Sequence, residues 1–183
     1  LTHSLTHSLT HSTNSLTHQV RLVSYLLLDA VIAVVGDSHV LFAARLAGQR
    51  HGHGCWCWNN LHFFGDGPRF INQTVDLVSF ILSGETYINP NHVAAIILHV
   101  GLSDVSNIRD DPRNNHIKQH LTQIQKQCKR NNIPFFWSDI MPCTRYNHFK
   151  TIDEGNYYTN LINTEVHGYV KNVIPSPIQR GVN

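Results

Sequence analysis

The sequence predicts a three-layer α/β/α sandwich built on a mostly parallel sheet of five strands. Short runs rich in β-branched residues alternate with longer amphipathic stretches. This order is typical of parallel sheets, because each parallel connection needs a crossover long enough for a helix. Hydrophobic residues make up 42% of the chain, which is enough to form a core. The length of 183 residues fits one domain.

The first half of the chain predicts two strand–helix units. The predicted elements are a strand at 31–35, a helix at 39–48, a strand at 60–64 and a helix at 71–83. The β-branched run that ends at Gly36 is typical of a buried strand. On the second helix, Ile71, Val75 and Val78 share one face, and Gly84 is a typical helix stop.

The second half of the chain continues the alternation. The predicted elements are a strand at 92–100, a helix at 113–131, a strand at 133–137, a helix at 153–171 and a short strand at 173–174. The first of these strands reads HVAAIILHV and is apolar on both faces, which predicts a central position. Ile117, Leu121 and Ile124 give the first helix a buried face, and Asp153 is the predicted N-cap of the second.

The start of the chain differs from the rest. Residues 1–18 read LTHSLTHSLTHSTNSLTH, a four-residue repeat without the apolar period of a helix or strand. We expect a disordered low-complexity leader at 1–18 and a folded domain at 19–183. The apolar stretch Val20–Val35 is interrupted by Arg21 and Asp29, well short of the ~20 residues of a membrane-spanning helix, so we expect no membrane span.

Three segments with glycine and polar residues directly follow predicted strands. They are Gly36-Asp37-Ser38, Gly65-Asp66-Gly67 and Gly101-Leu102-Ser103-Asp104. In parallel sheets, ligands bind beyond the carboxyl ends of the strands. The Ser38 hydroxyl is expected at a helix N-terminus, where free backbone N–H groups favour a developing oxyanion. Taken singly, each segment also fits an ordinary turn or a helix cap.

The order of these segments resembles the conserved blocks of the SGNH/GDSL hydrolases (esterases and lipases). Residues 31–40 (VIAVVGDSHV) resemble the first block, 63–67 (FFGDG) the second and 97–104 (ILHVGLSD) the third. Residues 137–142 (WSDIMP) resemble the stretch after the fourth strand in many animal members. The resemblance spans roughly residues 31–175 and implies a flavodoxin-like five-stranded sheet.

The resemblance also implies a mechanism, namely hydrolysis of a small-molecule carboxylic ester through an acyl-enzyme. Ser38 stands at the nucleophile position, and its backbone N–H belongs to the oxyanion hole. The second-block glycine that donates an N–H is Gly65, with Gly67 as the alternative. Ser103 stands where the family has an oxyanion-binding Asn, and its hydroxyl is shorter than an amide.

The family's Asp-x-x-His block, which follows the last strand, has no counterpart in residues 168–183. We therefore expect the C-terminal end of the domain to be incomplete and esterase activity to be impaired. The alternative is a catalytically inactive SGNH-fold protein that acts as a binding module. His39, His99 and His148 are candidate substitutes for the missing base, although each also fits an ordinary surface or core histidine.

Other ligands and cofactors have weaker support. The formal net charge of +2 gives no electrostatic basis for nucleic-acid binding. A nucleotide-binding flavodoxin-like domain is disfavoured because the chain has no G-x-G-x-x-G loop. Ester hydrolysis of this type runs on side chains and backbone, so we expect no cofactor.

Four potential metal ligands alternate at His51, His53, Cys55 and Cys57. On one strand they would share a face, which suits Zn²⁺ or Cu, but the spacing matches no common structural zinc pattern. We expect a loop or strand edge here and no metal site. The four cysteines allow three pairings, so they do not indicate a compartment. The sequence does not predict an oligomeric state either.

Overall fold

The computed structural model describes residues 30–47, 49–51, 55–58, 60–65, 70–110, 116–142 and 149–176. The chain divides into two compact units, Leu1–Ala30 and Val31–Asn183. Of the first unit only Ala30 is described, so the predicted leader at 1–18 lies outside the described residues. The architecture below is that of the second unit.

The described residues form seven strands and five α-helices. In chain order they are β1 Val31–Gly36, α1 Ser38–Ala47, β2 Gln49–His51, β3 Cys55–Trp58, β4 Leu61–Gly65, α2 Ile71–Ser83, β5 Val93–His99, α3 Leu102–Asp110, α4 Ile117–Arg130, β6 Phe135–Ser138, α5 Ile152–His167 and β7 Val173–Ile174. A short 3₁₀ turn at Pro90–His92 leads into β5.

The strands form one sheet in the order β2-β3-β4-β1-β5-β6-β7. Five neighbouring strands of this sheet run parallel, namely β4, β1, β5, β6 and β7. Their order is that of flavodoxin-like sheets. The predicted fold class is therefore confirmed. Two further strands, β2 and β3, pair antiparallel beyond β4 and were not expected from the sequence.

Helices cover both faces of the sheet. Alternate residues of β1 point to opposite faces, so their packing partners show which helices lie on each face. Ala33 and Val35 are fully buried in the larger core, to which α2, α4 and α5 contribute. Val34 packs on the other side against a smaller cluster with Val40 and Ala44 of α1. This arrangement confirms the three layers, with α1 on one face and α2, α4 and α5 on the other.

Several helix ends match the predictions and others differ from them. Helix α2 has the predicted bounds, and Gly84 ends it with a left-handed φ of 81°. Helix α5 begins one residue before the predicted start. Its N-cap is Thr151, whose hydroxyl accepts a hydrogen bond from the Glu154 N–H at 3.1 Å, so the prediction of Asp153 as the cap was wrong. Among the described helices, none has the length and apolar character needed to cross a membrane.

Candidate active site

The carboxyl ends of three neighbouring strands meet beside Ser38. Gly36, the last residue of β1, pairs with Gly65 of β4 on one side and with His99 of β5 on the other. Ser38 follows two residues later as the first residue of α1, and its side chain is partly exposed. The sheet register thus places two of the three predicted segments next to each other.

Glycine is required at both strand ends because neighbouring atoms come too close for a Cβ. A Cβ at Gly36 would lie 2.5 Å from the His99 carbonyl oxygen and would overlap the Val40 side chain. A Cβ at Gly65 would lie 2.6 Å from the Leu41 nitrogen and 3.2 Å from the Asp37 carbonyl oxygen. Gly65 therefore packs against the first turn of the helix that begins at Ser38.

The third predicted segment lies at the end of β5, the strand beside β1. Gly101 has a φ of 114°, and a Cβ there would also meet the Ile140 side chain at 2.6 Å. Helix α3 starts directly after it, so Ser103 lies in the first helical turn and is partly buried. Gly67, the alternative oxyanion donor, lies outside the described residues.

Asp104 is a buried residue of α3, whereas its segment also fitted an ordinary turn or a helix cap. It lies within α3, and its Oδ2 accepts a hydrogen bond from the Ile71 N–H at 3.1 Å, at the start of α2. Burial raises the pKa of this carboxyl to about 7, against the opposing effect of the bond from Ile71. Asp104 thus joins the N-termini of two helices near the candidate site.

The N-cap of α1 is Asp37 rather than Ser38. Asp37 is buried, and its Oδ1 accepts a hydrogen bond from the His39 N–H at 2.9 Å, two residues along the chain. With the cap supplied by Asp37, the Ser38 hydroxyl is not needed for that purpose. An Asp directly before a helix is a recognised start signal, and the sequence interpretation did not assign it this role.

Two imidazoles lie at this edge of the sheet. The Nδ1 of His39 is 3.2 Å from Asp37 Oδ1, and this hydrogen bond raises the pKa of His39. The Nδ1 of His99 is 3.0 Å from the Ser138 hydroxyl, and burial lowers the pKa of His99. The two rings are 6.2 Å apart and nearly perpendicular.

Both imidazoles were candidate substitutes for the missing catalytic base, and the structure brings both to the candidate site. Within the described residues, however, no hydrogen bond joins the Ser38 hydroxyl to either ring. The Nδ1 of His39 bonds Asp37, and the Nδ1 of His99 bonds Ser138. The third candidate, His148, lies outside the described residues. His167 is far along the chain in α5 and bonds Asp139 instead.

Among the described residues, a candidate set of metal ligands lies at this edge of the sheet. One ligand atom from each of Asp37, His39 and His99 lies within 4.8 Å of the other two. The alternating segment at 51–57 is split between β2 and β3, which pair antiparallel with His51 opposite Cys55. His51 and the two cysteines therefore do not lie on one continuous strand, His53 lies outside the described residues, and the absence of a metal site in this segment stays a prediction.

Comparisons with known proteins agree with the architecture. No protein-family model and no curated protein matches the chain. Among solved structures, the chain is similar to a GDSL-like lipase from Bacteroides thetaiotaomicron VPI-5482, with a TM-score of 0.52 and 11% sequence identity. The similarity covers 85% of this chain and 72% of that protein. At this identity it shows a GDSL-like fold and leaves the activity to be argued from the site.

Proposed function

We propose that this chain is an SGNH-type serine hydrolase that cleaves small carboxylic esters through an acyl-enzyme at Ser38. The observation that supports this most strongly is the close packing of Gly65 on the first turn of α1. It brings a strand-end glycine to the helix N-terminus that carries Ser38, which is the arrangement an oxyanion hole requires.

In the proposed reaction, the Ser38 hydroxyl attacks the ester carbonyl carbon while an imidazole takes its proton. The negative oxygen of the tetrahedral intermediate is stabilised by the N–H groups of Ser38 and Gly65 and by the positive end of α1. The intermediate collapses as the C–O bond to the alcohol breaks, and the leaving oxygen takes the proton from the imidazolium. Water then hydrolyses the acyl-enzyme and restores the free hydroxyl.

The base in this proposal is one of the two imidazoles at the strand ends. His99 is on the strand that pairs with Gly36, and Ser138 holds one of its ring nitrogens, which orients the other. His39 has an aspartate on its Nδ1, the arrangement in which a catalytic imidazole is usually held. Substitution of each ring separately distinguishes between them.

We expect turnover to be slow. Ser103 replaces the amide donor of the family's third block, and loss of one oxyanion donor typically lowers turnover about 10²–10³-fold. In addition, neither imidazole is bonded to the Ser38 hydroxyl in the described residues, so one ring must reorient before it can accept the proton.

The test is hydrolysis of p-nitrophenyl acetate by the full chain and by Ser38→Ala, His39→Ala and His99→Ala. We expect Ser38→Ala and one of the two histidine variants to fall to the rate in buffer. Ser79→Ala changes an exposed serine on α2 and serves as the matched control, with unchanged turnover. Equal turnover by Ser38→Ala and the unmodified chain would contradict the proposal.

A second candidate function is an inactive SGNH-fold protein that binds an ester or related ligand without cleaving it. Among the described residues, neither imidazole is hydrogen-bonded to the Ser38 hydroxyl, and this favours the inactive alternative because Ser38 then has no engaged base. An inactive binder would show saturable binding of a non-hydrolysable ester analogue together with no Ser38-dependent turnover.

A further inference from the structure

We propose that Asp37, His39 and His99 form a binding site for a divalent first-row transition-metal ion, with Zn²⁺ as the reference ion. The proposal goes beyond ester hydrolysis and does not require that Ser38 be a nucleophile. It starts from the three ligand atoms that lie within 4.8 Å of one another at the carboxyl ends of β1 and β5.

The donor set selects the class of ion. Two imidazole nitrogens and one carboxylate oxygen suit zinc and its neighbours, whereas Mg²⁺ and Ca²⁺ prefer oxygen ligands throughout. Ligands at about 2.0–2.2 Å from zinc lie roughly 3.4 Å apart in a tetrahedron. Asp37 Oδ1 is 3.2 Å from His39 Nδ1, and all three ligand atoms lie within 4.8 Å of one another, so rotation of the His39 side chain, which is 38% exposed, can bring the set to this spacing.

The three ligands are held by rigid backbone. Asp37 and His39 belong to the N-terminal turn of α1, and His99 is the last residue of β5. The Asp37 N–H donates to the His99 carbonyl oxygen at 3.4 Å, which links the two segments directly. A site on the ends of a helix and a strand loses little entropy when the ion binds.

A fourth residue supports the arrangement. Metal-binding histidines usually donate their second ring N–H to a neighbouring acceptor, which fixes the ring and its tautomer. The Ser138 hydroxyl lies 3.0 Å from His99 Nδ1, and in the tautomer whose Nδ1–H donates to this hydroxyl, Nε2 of His99 carries the lone pair for the ion. Ser138 is the residue of β6 that lies beside the end of β5.

The local charge also favours a cation. Asp37 is 3% exposed, and within the described residues its charged partner is His39 alone, with no Lys or Arg in an ion pair with it. One Asp37 oxygen accepts the His39 N–H, so the second oxygen is available to a metal ion. An ion here would supply the buried Asp37 carboxyl group with a cationic partner while His39 remains a ligand.

The test is titration of the chelator-treated full chain with Zn²⁺ by calorimetry and with Co²⁺ by visible absorption. Because the chain has other histidines and cysteines, the stoichiometry of the unmodified chain is compared with that of His39→Ala and His99→Ala. We expect each variant to lose one binding site, or to bind at that site at least about 10-fold more weakly. The exposed His92→Ala is the matched histidine control and retains full binding.

Two further variants distinguish metal binding from a contribution to folding and from ester hydrolysis. Ser138→Ala should weaken ion binding at this site about 10–100-fold. If the variant also melts at the temperature of the unmodified chain, a contribution of Ser138 to folding does not explain the weaker binding. Ser38→Ala should bind the ions normally, so loss of esterase activity does not remove the metal readout. Unchanged stoichiometry and affinity in both His39→Ala and His99→Ala would overturn the proposal.

Discussion

Two Asp–His pairs occur in the described residues, and they have different structural roles. Asp37 and His39 are two positions apart, with 3.2 Å between Oδ1 and Nδ1. Asp139 and His167 are 28 positions apart, with 2.7 Å between Oδ1 and Nε2. The two histidine side chains are similarly exposed, 38% and 41%, so the difference lies in what each pair connects.

The Asp139–His167 pair joins separate elements of the fold. It ties the C-terminus of α5 to the residue that follows β6, and Asp139 Oδ2 also accepts the Ser176 N–H at 3.4 Å. One helical turn earlier, the Asn163 amide bonds both the N–H and the carbonyl of Ile140, each at 3.0 Å. These bonds hold α5 and the segment after β7 to the end of β6.

The Asp37–His39 pair, by contrast, lies within a single helix start. Loss of the His39 imidazole leaves the helix cap in place, because the backbone N–H of residue 39 still donates to Asp37 Oδ1. A local pair can therefore change partner without loss of the fold. We therefore expect the pair at the α5 end to contribute more to stability than the pair at the α1 end.

The largest stability effect is expected for Asn163→Ala at the α5 end. The variant loses two hydrogen bonds and leaves the Ile140 N–H and carbonyl buried without partners, which costs about 3 kcal/mol. Urea denaturation measures the change, and the exposed neighbour Thr164→Ala is the control, with little effect. A cost below about 1 kcal/mol would show that these bonds do not hold α5 in place.

The next largest effect concerns Asp104, a buried carboxyl without an imidazole partner among the described residues. Its pKa in the folded chain is about 7, above the ordinary value of 3.8, so the folded state binds the proton more tightly. This contribution to stability is present at low pH and declines as the pH rises towards the folded-state pKa. Between pH 5 and 8 the loss is about 2–3 kcal/mol.

Asp104→Asn removes this titration. The free energy of unfolding of the unmodified chain minus that of Asp104→Asn should therefore fall between pH 5 and 8, as measured by urea denaturation at each pH. A difference that stayed constant or rose over this interval would place the Asp104 carboxyl in a more solvated or paired environment than the structure gives it.

His167→Ala and His39→Ala compare the two pairs directly. We expect His167→Ala to cost about 2 kcal/mol, since the buried Asp139 carboxylate loses its imidazole partner. His39→Ala should cost less, about 1 kcal/mol, because Asp37 Oδ1 still accepts the hydrogen bond from the backbone N–H of residue 39. Thermal or urea unfolding of both variants gives the values, and equal costs would remove the distinction between the two ends.

The last comparison concerns turnover rather than stability, and it uses Ser103→Asn at the candidate site. The longer amide restores the donor that the family carries at this position, and turnover of p-nitrophenyl acetate should rise about 10-fold, equivalent to roughly 1.4 kcal/mol. Ser79→Asn is the control for a new amide elsewhere. Unchanged turnover in Ser103→Asn would show that position 103 does not face the oxyanion.

The parallel core of the fold was predictable because its signals are local. The β-branched run of β1, the apolar run of β5 and the helical period of α2 each lie within a short window. The β2–β3 hairpin was missed because Gly, His, Cys and Trp alternate there without an apolar period. Helix α3 was missed because its sequence, LSDVSNIRD, is mostly polar.

The candidate site was predictable only in part. Ser38 and Gly65 follow strands that could be recognised, so their proximity follows from the parallel order. The contact of Asp37 and His39 with His99 depends on the register of β1 against β5, which sequence patterns do not determine. The bond between Asp139 and His167 joins residues with no local relation, and no sequence signal indicates it.

Labelling with a fluorophosphonate probe tests the central claim, that Ser38 is an activated nucleophile beside Gly65, most directly. The folded full chain is treated with the probe, and the modified residue is located by peptide mass spectrometry. We predict modification of Ser38 that is absent after heat denaturation and in Ser38→Ala but present in Ser79→Ala. A folded chain that leaves Ser38 unmodified while a reference serine hydrolase is labelled would contradict the account.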